Sequence, residues 1–418
     1  MLIEFRVENH RSFRDEQAFT MEAGLVDHPA DKRPRQVAGS AKPILPLAAI
    51  YGANASGKSN LLAAMAFMRE AVLFSYLVWP NHEKVDRDPF SWGPARRRPS
   101  LFEMVMLIEG VPYQYGFTLS VTSVQEEWLY AWPNRRKRIL FARDKNEFQF
   151  GEHLKGDNEH IQSNMRRHSL FLSSAAHFNH EQLTPIFSWF SAIRVRGRDI
   201  KRDEHLTRSS VSNSLIGETM AAPDVDMPVQ SKADAFKKML VKADVGIVDF
   251  RAEGIGLESA PASERHCRFF FKHKSRFKDS WLPLEEQSSG TQAMFRMAWP
   301  LLGVIGSGGL MLVDELEASL HPSLAIQFVR QFNDPATNPN NAQLIFTTHD
   351  TNLLGTTLGD TALRRDQVWL AEKDAEGAST IYPLTDFKPR KHENLEHGYL
   401  QGRYGAIPFL GNFSLTGE

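Results

Sequence analysis

The stretch Tyr51-Gly-Ala-Asn-Ala-Ser-Gly-Lys-Ser-Asn60 decides how this chain is read. It follows the apolar run Ile44–Ile50, expected as a buried strand, and precedes the helix-forming run Leu61–Met68. Strand, glycine loop and helix is the context that the pattern G-x-x-x-x-G-K-S/T requires. Gly52 and Gly57 carry no Cβ, so the loop of Gly52, Ala53, Asn54, Ala55, Ser56, Gly57 and Asn60 can wrap its backbone N–H groups around phosphate oxygens. Lys58 is expected to neutralise the β- and γ-phosphates and Ser59 to bind Mg²⁺, with the partial positive charge of the helix N-terminus added. The expected ligands are ATP and Mg²⁺.

The composition, 42% hydrophobic and 24% charged over 418 residues, is that of a soluble globular chain with two or more lobes. A net charge of -1 argues against wholesale coating of nucleic acid but leaves room for local basic patches. The lone Cys267 rules out an intramolecular disulfide and fits a reducing cytosol, and the opening Met1–Val7 alternates like a strand rather than a signal peptide. In the uncharged run Met297–Val313, Pro300 and the glycines at 303, 306, 308 and 309 are expected to separate a helix end, a turn and a strand. That run is also short for a membrane span.

Residues 1–20 read as a hairpin and 24–42 as a loop. Strand-like segments at 102–108, 113–120, 126–132, 138–142 and 147–150 predict an antiparallel meander. Residues 160–250 look mainly helical around a polar stretch, Arg202–Gln230, and from 283 onward strands alternate with helices. The expected division is an N-terminal lobe over 1–150, a mainly helical insertion over 151–280 and a C-terminal lobe over 281–418, the two lobes sharing one sheet.

Leu310-Met-Leu-Val-Asp-Glu315 ends a strand in two carboxylates. Beside a phosphate loop, Asp314 can hold Mg²⁺ through water, and Glu315 can polarise the water that attacks the γ-phosphate. His349, after the strand Gln343–Thr348, can hydrogen-bond the γ-phosphate or that water. The stretch Glu286-Gln-Ser-Ser-Gly-Thr-Gln292 precedes the expected helix Ala293–Leu302, with Ser289 able to cap it and Gly290 open to close approach. It is either an ordinary capped helix or a second anion site, which in a head-to-tail dimer would close over the γ-phosphate held by the other copy.

In order, GANASGKS, SSGTQ, LMLVDE, EASLHP and TTHD resemble the ABC-type ATPases of the SMC, Rad-fifty and OLD kind. More narrowly, the chain is similar to the stand-alone bacterial AAA family ATPases that include RloA and the ATPase halves of abortive-infection systems. The resemblance takes in the opening Phe5–Phe13, the region Phe102–Tyr130 and the tail Gly402-Arg-Tyr-Gly-Ala-Ile-Pro-Phe409. It implies a P-loop ABC-type head, a mixed sheet core plus an antiparallel β subdomain, with a helical insertion. It also implies that Ser288, Ser289 and Gly290 form the signature loop, Glu317–His321 the D-loop and His349 the switch histidine. Asn9, Arg11 and Ser12 match a segment near the nucleotide; Gln114 and Gln162 are both candidates for the Q-loop glutamine. The signature reads SSGTQ rather than LSGGQ. No long heptad pattern and no Toprim acidic cluster after His349 is present, so a coiled-coil arm is not expected and a nuclease would have to come from a partner.

The basic runs Arg96–Arg98, Arg135–Arg138, Arg194–Arg202 and Lys272–Lys278, the last expected on a strand, are either solvated surface or a groove for nucleic-acid backbone. Two functions remain open from sequence. One is the ATPase of an anti-phage system, homodimeric or larger, that gates a separately encoded effector. The other is a DNA-repair or chromosome-associated ATPase that acts on nucleic acid directly. Neither needs a membrane.

Overall fold

The computed structural model describes the chain except residues 25–30, 80–84, 86, 198–228, 243–245, 256–265, 319–320, 357–360, 391–392 and 408–418. The polar stretch Arg202–Gln230 thus lies almost entirely outside the described residues.

Strands β1 (Leu2–Glu8) and β2 (Gln17–Thr20) form the expected hairpin, with Phe5 opposite Phe19. β3 (Leu47–Gly52) leaves for a second sheet. β4 (Ser100–Ile108), β5 (Val111–Leu119), β6 (Val124–Ala131), β7 (Arg138–Asp144) and β8 (Glu147–Phe150) are the expected meander. They continue the hairpin into a seven-stranded sheet ordered β2-β1-β4-β5-β6-β7-β8. Its register follows from alternation: Phe102, Met104 and Met106 on β4 and Tyr115, Phe117 and Leu119 on β5 are all buried. Glu109 and Gly110 both take positive φ, the two-residue turn that matches strand twist.

Residues 151–280 are helical only in part. Short helices at Asn158–Asn164, Phe171–His177 and Thr184–Ser191 pack on the antiparallel sheet and the P-loop helix. β9 (Arg194–Arg196) then joins the core sheet. After the helix Val229–Lys242 come β10 (Ile247–Ile255), β11 (His266–His273) and β12 (Trp281–Pro283), a three-stranded antiparallel sheet. Phe250 is buried between Asp249 and Arg251, and Phe269 and Phe271 are buried on either side of the half-buried Phe270, a period of two that suits a half-buried strand and not a helix. Of the basic run 272–278, only Lys272 and His273 lie on a strand; the rest is exposed connection.

β13 (Leu310–Val313), β14 (Gln343–Thr347), β15 (Val368–Lys373) and β16 (Ser379–Pro383) complete a six-stranded sheet ordered β16-β15-β3-β14-β13-β9. All its pairings are parallel except β16 with β15. Every residue of β3, β13 and β14 is buried, as strands covered on both faces demand. Ala48, Ile50, Leu312 and Ile345 face the core shared with the P-loop helix Lys58–Phe74. Leu47, Ala49, Met311, Val313, Leu344 and Phe346 face the helices Ser289–Ser307 and Pro322–Asn333. The halves of the chain thus meet in one sheet.

The helix end, turn and strand expected over 297–313 are present, but the helix ends later than the expected Leu302. It runs unbroken from Ser289 to Ser307 with Pro300, Gly303 and Gly306 inside it, and ends only at Gly308, which adopts φ 75°. Met294, Phe295, Ala298, Trp299, Leu301 and Val304 are buried along it, and that packing outweighs the helix-breaking bias of single residues.

The turn after β1 buries His10, neither ring nitrogen of which has a hydrogen-bond partner among the described residues, its ring 5.6 Å from Phe67 and 5.2 Å from Phe102. Burial, and then the Arg11 charge, lowers its pKa to about 3. An unfolded histidine takes up its proton below about pH 6.5, so the unfolded state binds more protons between those values and stability falls as the pH drops through that window. His10→Phe is expected to recover up to about 2 kcal/mol of the stability lost between pH 6.5 and 5, read from denaturant midpoints of both proteins. Equal losses would remove His10 as the acid-sensitive group.

Candidate functional site

β3, β14 and β13 lie side by side in that order and run parallel, so their carboxyl ends bring residues 52–59, 347–349 and 314–315 to one edge of the sheet. In open α/β sheets that edge is where ligands bind.

The loop turns into its helix at Gly57, φ 107°, where a Cβ would lie 2.3 Å from Ser379 Oγ and 2.9 Å from Ser12 Oγ. Only glycine fits both the conformation and the space. Ser379 Oγ sits 2.7 Å from Ser12 Oγ and from the Ser56 carbonyl oxygen, and Asn60 Nδ2 donates to Ser12 Oγ at 2.7 Å. No side chain caps the helix that starts at Lys58, while Asn54 and Ala55 are exposed. Lys58 Nζ donates to the carbonyls of Gly52 and Ala53 at 2.8 and 2.9 Å. Burial lowers its pKa, and the carboxylates of Asp314, Glu317 and Glu315 oppose that shift.

Asp314 is buried, and its Oδ1 accepts from Ser59 Oγ at 2.8 Å and Thr347 Oγ1 at 2.7 Å. Thr347 Oγ1 in turn accepts from the Glu315 N–H at 2.8 Å. Glu315 takes φ 54°, a left-handed turn costing a non-glycine residue about 1 kcal/mol or more, and is exposed. Glu317 Oε1 accepts from the His349 N–H at 2.6 Å. Partial burial, then the Lys58 ammonium, lowers the pKa of the His349 imidazole, and Glu317, Glu315 and Asp314 oppose that. All five groups the sequence pointed to at this edge are thus neighbours. Thr347 and Ser379 are additions: a hydroxyl ending an apolar strand was a visible signal for Thr347, whereas nothing short of the fold identifies Ser379.

The donor set fits the expected ligands. One ammonium and an uncapped helix start suit a polyphosphate. The hydroxyl and carboxylate of Ser59 and Asp314 suit Mg²⁺, which takes few protein oxygens and completes its shell with phosphate and water. Among the described residues no group of three or more His, Cys, Asp or Glu could hold a metal unaided. Ser56 Oγ and Glu317 Oε2 are buried there without hydrogen-bond partners among the described residues.

Other expected positions lie elsewhere or differ in detail. Arg11 pairs with Asp88 at 3.2 Å, and Asn9 holds the carbonyls of Ala95 and Arg98, so Ser12 is the member of that segment that bonds to the P-loop region. Ser288, not Ser289, caps the signature helix, accepting from the Thr291 N–H at 3.2 Å. Ser288, Ser289 and Gly290 are exposed, and a Cβ on Gly290 would meet nothing nearer than Ser288 Oγ at 4.0 Å. Gln114 donates to Glu103 on the antiparallel sheet and Gln162 lies on the helix Asn158–Asn164. Ser319 and Leu320 of the D-loop lie outside the described residues. No described helix is long and apolar enough to cross a membrane.

No curated protein matches the chain. Among solved structures it is similar to an SMC head bound to the C-terminal winged-helix domain of ScpA, at 13% identity and TM-score 0.47, over 91% of this chain and 97% of that one. It is also similar to an SMC head with coiled coil and joint from Pyrococcus yayanosii, at 9% and 0.45, over 96% and 99%. The SMC head from Thermotoga maritima gives 14% and 0.37, over 91% and 98%. Residues 47–355, most of the chain, match the family described as "AAA domain, putative AbiEii toxin, Type IV TA system", and the chain belongs to that family.

Proposed function

We propose that this chain binds and hydrolyses ATP with Mg²⁺ in sites shared between two copies, and that the cycle gates a separately encoded effector in anti-phage defence. The observation that carries the ATPase reading is the double hydrogen bond on Asp314 Oδ1, which ties the P-loop hydroxyl of Ser59 to the end of β14 through Thr347. In this reading the Lys58 ammonium lies on the β- and γ-phosphates, and Ser59 and Asp314 hold Mg²⁺. Glu315 polarises the attacking water. His349, its pKa lowered, is neutral near pH 7 and can hydrogen-bond that water or the γ-phosphate.

Sharing of sites is supported by the signature loop. Among the described residues, Ser288, Ser289 and Gly290 make no hydrogen bond to the P-loop of their own chain, and none comes nearer than 4.0 Å to a Cβ placed on Gly290. A second copy would bring that uncovered helix start onto the γ-phosphate, and hydrolysis would remove the contact that holds the pair closed. The family description, with its toxin and toxin–antitoxin terms, favours the defence role. The exposed cluster Arg135–Arg138, with Lys137 Nζ 3.8 Å from the Tyr130 ring centre, favours direct action on nucleic acid as the second reading.

Expression of the chain with its native neighbouring gene is expected to lower phage plating, and Lys58→Ala is expected to abolish that protection. A pair that protects against no phage in a broad panel but rescues a DNA-damage phenotype would establish the second reading instead.

A further inference from the structure

The tail motif Gly402-Arg-Tyr-Gly-Ala406 has no part in the chemistry above, yet the structure places it beneath the P-loop. The short helix Leu395–Leu400 carries Glu396 and Tyr399, three residues apart and so on one face. The buried Tyr399 hydroxyl donates to the Ala406 carbonyl at 3.1 Å, and its ring packs edge-on against that of Tyr51, the residue before Gly52, at 5.5 Å. Glu396 Oε1 accepts from Thr351 Oγ1 at 2.9 Å, two residues beyond His349. Tyr51 completes the link, its hydroxyl donating to the Asp350 carbonyl at 3.0 Å.

The motif locks that helix in place. The Ala406 N–H donates to Glu372 Oε1 at 2.6 Å, at the end of β15, whose Ala371 pairs with Gly52. A Cβ on Gly405, which has φ 69°, would lie 2.2 Å from the same carboxylate oxygen, so the glycine is required for the fit. Tyr382 Oη donates to the Tyr404 carbonyl at 3.2 Å.

We propose that the helix Leu395–Leu400 and its tail form a clamp joining Tyr51, at the entry to the P-loop, to the loop that carries His349, with Tyr399 and Glu396 as positioning residues for nucleotide binding and hydrolysis. The two act on different steps. Tyr399 packs on the Tyr51 ring and so fixes the chain as it enters the phosphate cradle. Glu396 fixes the segment after His349 and so sets the imidazole. This rests on the ATPase reading above, but its physical core, the linkage of two loops by one helix, can be measured without turnover.

The test compares Tyr399→Leu, Glu396→Ala and Glu396→Gln in the full chain. Hydrogen–deuterium exchange over residues 51–60 and 349–355 is read without nucleotide, together with the Kd for ATP and kcat. Tyr399→Leu removes the ring from Tyr51 and is expected to speed exchange over 51–60 and raise Kd roughly three- to tenfold, the range of one lost aromatic pair. Glu396→Ala is expected to speed exchange over 349–355 and lower kcat by a similar factor at unchanged Kd. Glu396→Gln, which keeps an acceptor for Thr351, is expected to restore both. Unchanged exchange in both loops would overturn the clamp, and changed exchange with unaltered Kd and kcat would reduce it to a purely structural contact and overturn the positioning role. A wild-type chain that does not bind ATP would overturn the functional reading, a result separate from the exchange data.

Discussion

Glu315→Gln is expected to keep ATP binding and to lose hydrolysis by at least about a hundredfold, the scale of removing a positioned base. Its backbone N–H donates to Thr347 Oγ1, so the left-handed turn at this residue should survive the change, which alters only the side-chain carboxylate. Lys58→Ala is expected to fail earlier, at binding, because the ammonium is the strongest positive charge at the phosphate cradle. The two variants therefore separate in a nucleotide-binding assay before they are compared in turnover. Retained turnover by the Glu315 variant would remove that residue from its role and leave His349 as the candidate.

The same variant tests whether sites are shared. Ser289→Arg, at the exposed start of the signature helix, is expected to spare binding and block hydrolysis by obstructing closure. In a mixed head-to-tail dimer with Glu315→Gln, one composite site carries both defects and the other carries neither. Mixing two inactive proteins should then recover part of the activity. A mixture that stays inactive although mixed dimers form would rule out independent composite sites.

How much of this could be read without coordinates depends on how local each signal is. The P-loop, the run ending in Asp314-Glu315 and the strand before His349 are local patterns in which type and spacing carry the chemistry, and the antiparallel meander follows from alternation alone. What escaped were features decided by distant parts of the chain. Gly303 and Gly306 read as the end of the helix until six buried side chains hold it together as far as Ser307. The strand β11 escaped because Phe269-Phe-Phe271 is a continuous apolar run, although only its first and third rings are buried. Ser379 lies more than 300 residues from the Ser56 carbonyl it touches, and Tyr399 is as far from the Tyr51 ring it packs on. Contacts closed over such separations leave no periodic mark in the sequence.

One such long-range network yields the second large effect. Glu127 on β6 is fully buried, and its carboxylate accepts from the N–H groups of Phe171 and Leu172 at 2.7 and 3.1 Å and from Tyr115 Oη at 2.9 Å. Burial pushes its pKa up, while Arg143, the two amides and Tyr115 pull it down. The Arg143 guanidinium, also buried, lies 3.6 Å away and donates to the carbonyls of Lys145, Ser169 and Arg167. Together the pair pins the helix Phe171–His177 to the antiparallel sheet. Glu127→Ala leaves two amides and a hydroxyl without acceptors and an arginine charge unpaired in the interior, which typically costs about 3–5 kcal/mol. Glu127→Gln keeps an acceptor oxygen and should lose less. Because each partner is desolvated, replacing both with apolar residues is expected to cost less than removing Glu127 alone. Denaturant midpoints of Glu127→Ala, Glu127→Gln and the double variant Glu127→Leu with Arg143→Met measure this directly. A single Glu127→Ala loss below about 1 kcal/mol would mean that water reaches the site and solvates the stranded groups.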